Sequence, residues 1–161
     1  MVNWRQFALG VIIFFSVLIN SAQAIVYTAN AYSGIVVNDI YGQPYHLPKT
    51  EGKWVVINYW ASWCSACISE IPDLNRFAEM TKKSSVVFFA INYDELADNQ
   101  QQDFARKYGV NYLMLHENPL RNLVPADSIT TLPMTYVISP QGETQQLFGT
   151  QTAETIMRIL R

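Results

Sequence analysis

Cys64 and Cys67 are the only cysteines of this 161-residue chain, and they stand three positions apart. Sulfurs this close in sequence cannot staple distant parts of a fold. A loop so short removes little entropy from the unfolded chain, so cross-linking is a poor reason to have it. A structural zinc site needs four ligands, and neither His46 nor His116 lies near the pair. Redox exchange is the chemistry that remains: one thiolate attacks a disulfide and the second sulfur resolves the mixed disulfide. The competing use of two thiolates is to carry a soft metal such as Cu(I). Met80, Met114, Met134 and Met157 have no copper-like spacing and no His/Met cluster accompanies the cysteines, which counts against that use.

The elements around the pair decide its reactivity. Trp54 to Trp60 is almost continuously apolar, the pattern of a central strand buried on both faces. Ser62 offers a helix cap, and a helical pattern follows from Cys64 to about Lys82, with Ile68, Ile71, Leu74, Phe77 and Ala78 as its core stripe and Pro72 as a kink. Trp63-Cys64-Ser65-Ala66-Cys67 therefore opens a helix directly after a buried strand. Unpaired N–H groups and the positive end of the macrodipole favour a thiolate there and lower its pKa. Cys64, at the outer edge, is the expected attacking sulfur; Cys67, one turn deeper, is the expected resolving one. Glu70 falls three residues after Cys67 on the same helix face. Beside a buried thiol its carboxyl would be pushed up into the range of a usable base; exposed, it would only complement the dipole. Residue types alone leave those two readings equal.

Elsewhere, Gly34–Ile40 and Tyr45–Leu47 read as an N-terminal hairpin about the Tyr41–Pro44 turn, and Lys49–Gly52 as another turn. Val86–Ile91 is a second buried strand, and Leu96–Tyr108 a helix ended by Gly109. Tyr112–Leu115 is a short strand and Pro119–Val124 a helical turn. Met134–Ile138 and Thr144–Phe148 form a hairpin, and Thr152–Leu160 a closing helix. This order predicts a single α/β domain, a mixed sheet with helices on both faces. The CxxC at the first strand-to-helix junction makes it thioredoxin-like. Half the residues are apolar, the formal net charge is −2, and neither sign forms a long run. Nucleic-acid binding and polybasic membrane docking have no support in that composition.

Residues 1–24 stand apart. Arg5 is their only charged side chain, an apolar run extends from Phe7 to Ile19, and Ala22 and Ala24 place small residues at the −3 and −1 positions of a cut. That is the order of a secretory signal peptide. The run is shorter than a membrane-spanning helix needs, although an uncleaved anchor is the alternative. The expected domain is then residues 25–161, in an oxidising compartment where disulfides persist.

The stretch from Asn58 through Trp60-Ala61-Ser62-Trp63-Cys64-Ser65-Ala66-Cys67 to Glu70-Ile71-Pro72 resembles the active site of the TlpA/ResA/CcmG (DsbE) group of exported thioredoxin-like proteins. The likeness runs from about Gly34 to the C-terminus and includes Thr131-Leu132-Pro133-Met134-Thr135-Tyr136. It implies a thiol–disulfide oxidoreductase in the periplasm or on the outer face of the cytoplasmic membrane. Such proteins keep apocytochrome c or other client thiols reduced and are themselves reduced by a membrane thiol transporter of DsbD/CcdA type. They need no cofactor beyond the redox-active disulfide. The resemblance also assigns Glu70 a role toward Cys67, with Asn58 standing where thioredoxins proper keep a buried aspartate. It makes Pro133 a cis proline packed on the pair and Leu132 the backbone partner of the client; without it, Pro133 reads as an ordinary strand-start proline. Trp60 is expected in the core and Trp63 on the client surface, and both histidines on the surface or in loops. Many relatives have proline where Ala66 stands. An Ala66 N–H donating to the Cys64 thiolate would make this pair more oxidising, so Ala66→Pro is expected to give a stronger reductant. The same residues would also serve an oxidase or isomerase.

Overall fold

In the computed structural model, residues 35–47, 52–122 and 124–161 are described. The leader (1–24), Gly34 and most of the Lys49–Gly52 turn lie outside them. Strands β1 (Val36–Asn38) and β2 (Pro44–His46) form the antiparallel hairpin. The main sheet has the order β5-β4-β3-β6-β7, with β3 Trp54–Trp60, β4 Val86–Asn92, β5 Met114–Leu115, β6 Met134–Ile138 and β7 Thr144–Phe148. β3, β4 and β5 are parallel, and β6 and β7 run antiparallel to their neighbours.

Helices α1 (Ser65–Thr81) and α2 (Asp98–Tyr108) are the crossovers from β3 to β4 and from β4 to β5. Both steps move the same way across the sheet, so right-handed connections put both helices on one face. The packing agrees. Val56 and Val137 meet Leu74 and Phe77 of α1 and Ala153 and Ile156 of α3 (Ala153–Ile159). On the same face Trp60 and Ala90 meet Ala105 of α2, and Trp60 stacks on Phe104 at 4.2 Å. The opposite face carries Val55, Ile57, Tyr59, Phe89 and Tyr136, covered by the β1–β2 hairpin and the 116–132 segment. Among the described residues the helical structure on that face is one short 3-10 turn, Ala126–Ser128. The sheet is covered on both faces, but the helices expected on both gather on one. Among the described residues all three α-helices pack on the Val56–Trp60–Ala90 face, and the hairpin and loop segment cover the other. The long segment is tied to tyrosines that point at it: Asn118 Nδ2 donates to Tyr59 Oη (2.7 Å), and Ser128 Oγ meets Tyr136 Oη at 2.7 Å.

Three local expectations change. Residues 119–122 form turns, with a Val124 N–H to Leu120 C=O bond of 2.9 Å, and the helical turn falls instead at Ala126–Ser128. The buried face of α1 is Cys67, Glu70, Ile71, Leu74, Phe77 and Thr81, while Ile68 and Ala78 are half-buried. The buried face thus takes in Glu70, whose carboxylate finds partners inside. Ser62 is not the cap of α1; Cys64 is. Gly109 ends α2 in the left-handed region at φ 67°, as its position implied.

Phe77 is fully buried and meets Phe88 edge-to-face at 5.1 Å. Phe77→Ala should lower stability by about 3–5 kcal/mol through the cavity it leaves. A lower urea midpoint at unchanged slope would register it.

Candidate active site

β3 ends at Trp60, and Ala61, Ser62 and Trp63 carry the chain over to α1. Cys64 is the helix N-cap, in extended conformation, and its Sγ accepts the Cys67 N–H at 3.1 Å. Cys64 and Cys67 are joined as a disulfide with Cα atoms 5.3 Å apart. Both are buried, Cys64 at 6% and Cys67 at 3% exposure, so the first sulfur lies slightly nearer solvent. The donor to Cys64 Sγ is the N–H of Cys67, not that of Ala66. In the disulfide-bonded form, Ala66→Pro therefore removes no hydrogen bond to this sulfur.

One helical turn behind Cys67 lies Glu70, only 2% exposed. Its Oε1 accepts from Asn58 Nδ2 of β3 (2.8 Å) and its Oε2 from the backbone N–H of Gln151, before α3 (2.9 Å). Asn58 also donates to Thr135 Oγ1 of β6 at 3.2 Å, so one network joins the central strands to α1 and to the residue leading into α3. Burial raises the Glu70 carboxyl to about 7; the Gln151 and Asn58 donors pull it back, and nearby Asp73 pushes it further up. Tyr112 is raised as well, by burial and by the Glu70 charge. The exposed-acid alternative for Glu70 is excluded by this geometry.

The remaining candidates divide by place. Trp60 is in the core and Trp63 is 69% exposed. The Leu132–Pro133 bond is cis, Pro133 is buried, and Leu132 packs on the cluster containing Trp60, Ala61, Cys64 and Cys67. Among the described residues the Leu132 N–H and C=O have no backbone partner. His46 is exposed on β2, and His116 Nδ1 meets Asp98 Oδ1 at 2.6 Å, away from the sulfurs. Among the described residues no three His, Cys, Asp or Glu side chains converge to hold a metal. Two neighbours escaped the sequence reading. Asp94, just past β4, accepts from Ser62; Tyr112 lies within electrostatic reach of Glu70. Nothing in their spacing from the cysteines marks them, because β4 and β5 deliver them from elsewhere in the chain.

A parallel–antiparallel sheet with a disulfide at the first helix start and a cis proline at the opposing strand defines a thioredoxin-like thiol–disulfide oxidoreductase. The AhpC/TSA family matches residues 28–147, and the chain belongs to that family. The thiol–disulfide oxidoreductase ResA of Geobacillus kaustophilus is 31% identical over 126 residues, 78% of this chain and 71% of that protein. ResA of Bacillus subtilis is 30% identical over 122 residues, 75% and 67% of the two chains. In fold the chain is similar to StoA of Bacillus subtilis, with TM-score 0.61, 22% identity, and 77% and 93% of the chains covered. A thiol:disulfide interchange protein of Chlorobium tepidum gives TM-score 0.65 at 23% identity, covering 78% and 90%.

Glu70 also sets a pH dependence. Below about pH 4.5 the folded and unfolded carboxyls are both protonated. Between about 4.5 and 7 the unfolded chain ionises first, so stability falls as pH rises. The full loss, present above 7, is at most about 3 kcal/mol. In Glu70→Gln this slope should vanish, so the variant gains on the native protein from pH 5 to 8 in urea titrations. A parallel pair of pH–stability curves would refute the assignment.

Proposed function

We propose that this chain is an exported reductant of protein disulfides. Cys64 is the attacking sulfur, Cys67 the resolving sulfur, and Glu70 the group that takes the Cys67 proton. The observation that carries this reading is the disulfide at the start of α1 with a buried carboxyl one turn behind it, raised to about 7. In the reduced protein the Cys64 thiolate attacks a client disulfide, whose S–S bond breaks and releases one client thiolate. Glu70 accepts the Cys67 proton, and Cys67 attacks the Cys64 sulfur, releasing the second client thiolate and leaving the Cys64–Cys67 disulfide. Two electrons have passed to the client. No dissociable cofactor is needed, and a dithiol donor, a membrane thiol transporter of DsbD/CcdA type, reloads the pair.

Apocytochrome c or related envelope thiols are the proposed clients. Residues 1–24 act as the export signal, placing residues 25–161 in the periplasm or on the outer face of the cytoplasmic membrane. Similar solved proteins include a secreted disulfide oxidoreductase of Mycobacterium tuberculosis and an exposed lipoprotein thioredoxin of Streptococcus pneumoniae. The open Leu132 backbone beside Pro133 supports a client chain pairing there as an added strand, with exposed Trp63 packing on it. Direction is supported by charge: residues 54–75, 84–105 and 122–157 contain no Lys, Arg or His. With no cation supplied by these stretches to stabilise a thiolate, the reduced form is favoured less and the pair gives up its electrons more readily.

A reduction potential well below about −220 mV against glutathione is expected; one near −120 mV would make the protein an oxidant instead. Cys67→Ser should trap clients as mixed disulfides, whereas Cys64→Ser should trap none. Glu70→Gln should slow insulin reduction by about 10²-fold or more near neutral pH, the usual contribution of a positioned base, and flatten its rise with pH around 7.

A further inference from the structure

The carboxylate of Asp94 is committed to a single loop. Ser62 N–H donates to Oδ1 and Oδ2 at 3.2 Å each, and Ser62 Oγ donates to Oδ2 at 2.6 Å. Asn92 Nδ2 donates to Oδ1, while Asn92 Oδ1 accepts Leu96 N–H at 2.8 Å, so Asp94 is braced from its own side. Tyr93 N–H adds a 2.8 Å bond to Trp60 C=O. The end of β4 therefore grips both the last residue of β3 and the loop after it. Between Ser62 and Cys64 stands only Trp63, whose side chain is exposed and makes no hydrogen bond among the described residues. The Cys64 N–H closes back on Ala61 C=O at 3.1 Å, within the same loop. Ser62 is the last side chain held in place before the sulfur, and that sulfur must meet the Cys67 N–H.

We propose that Asp94 is a positioning residue for Cys64: by fixing Ser62 it sets where the loop delivers the sulfur to the start of α1, and this placement, not its charge, tunes Cys64 reactivity. The inference rests on Cys64 being the attacking sulfur. The two possible actions of a carboxylate have opposite signs. Losing the clamp lets the sulfur drift from the N–H that stabilises a thiolate, making the thiol less acidic. Losing a nearby negative charge makes it more acidic.

The test is the pH profile of Cys64 alkylation by iodoacetamide in the reduced full chain, resolved from Cys67 by mass spectrometry. Asp94→Ala should move the midpoint to higher pH and slow the reaction at pH 7 about tenfold, for a pKa raised by about one. Asp94→Asn keeps an oxygen for Ser62 N–H and Asn92, and its amide can donate to Ser62 Oγ, so its profile should stay within twofold of the native one. An unmoved Asp94→Ala profile with a lower melting temperature would reduce Asp94 to a brace of the fold. Midpoints moved to lower pH in both variants would make it a charge effect; either result overturns the proposal. Should Asp94→Ala fail to fold, Ser62→Ala carries the test: a smaller upward shift supports the proposal and an unmoved profile overturns it. A native Cys64 that reacts like a free thiol would sink the exchange reading itself, whereas an activated Cys64 indifferent to Asp94 sinks only this assignment.

Discussion

The site depends on the single hydrogen bond from the Cys67 N–H to the Cys64 sulfur. A helix starting after a buried strand has N–H groups that must find acceptors, and oxygen side chains usually supply them. Here the acceptor is sulfur, a weak one within a disulfide and a much stronger one as a thiolate. The cap of α1 is therefore better made in the reduced protein than in the oxidised one. A cap is worth about 1 kcal/mol, and about 1.4 kcal/mol corresponds to 30 mV for a two-electron couple. The helix start alone thus moves the potential by tens of millivolts toward the reduced form, an effect that the rest of the site must balance.

Glu70 is part of that balance, and it has a structural cost. A carboxyl placed on the core face of α1 gives up its hydration, and two donors, Asn58 and Gln151, recover only part of it. The remainder appears as a carboxyl raised to about 7. An apolar side chain in its place would pack without that penalty, as Ile71 and Leu74 do beside it. Asn58 supports the same conclusion. It is buried on the central strand of the sheet, where an apolar residue would be the cheaper choice, and its amide is used on Glu70 and Thr135. Two segments, β3 through Asn58 and the residue before the α3 cap through Gln151, direct donors at one carboxyl that the fold does not require.

Much of this was legible in the sequence, because periodicity reports burial where side chains are apolar. β3 was found at its observed limits, and α2 and the β6–β7 hairpin to within a residue or two, since each has a clean pattern and a turn or glycine at its end. The reading went astray where polar groups are buried or where a segment lacks a period. Ile68 was placed in the core stripe of α1 because it is apolar; the stripe instead includes Glu70 and Thr81, whose Oγ1 donates to Phe77 C=O at 2.8 Å. Ser62 was read as the cap because serine caps helices, and its hydroxyl is instead spent on Asp94. That partner sits 32 residues away and no local spacing announces it. The gathering of three α-helices on one face follows from strand order, and strand order is a long-range property: the placement of β5 at the edge next to β4 sends α2 to the side of α1.

The stretch of chain that carries the sulfurs and the strand beside them hold acids but no bases, residues 54–75 and 84–105 being without Lys, Arg or His. The strands, loops and helix turns that build the site bring two carboxylates, Glu70 behind the pair and Asp94 before it, and the stretches that hold them contain no cation. Stabilisation of a thiolate then falls to backbone N–H groups, which have fixed directions and short reach. Such stabilisation is acutely sensitive to where the sulfur sits, much more so than attraction to a mobile lysine a few ångströms away. A site that relies on backbone donors must therefore fix its loop rigidly, and the Ser62–Asp94–Asn92 chain does so from the neighbouring strand. The absence of basic residues from those stretches and the presence of the clamp are two sides of one constraint: where the local chain supplies no cation to activate the sulfur, position has to do it.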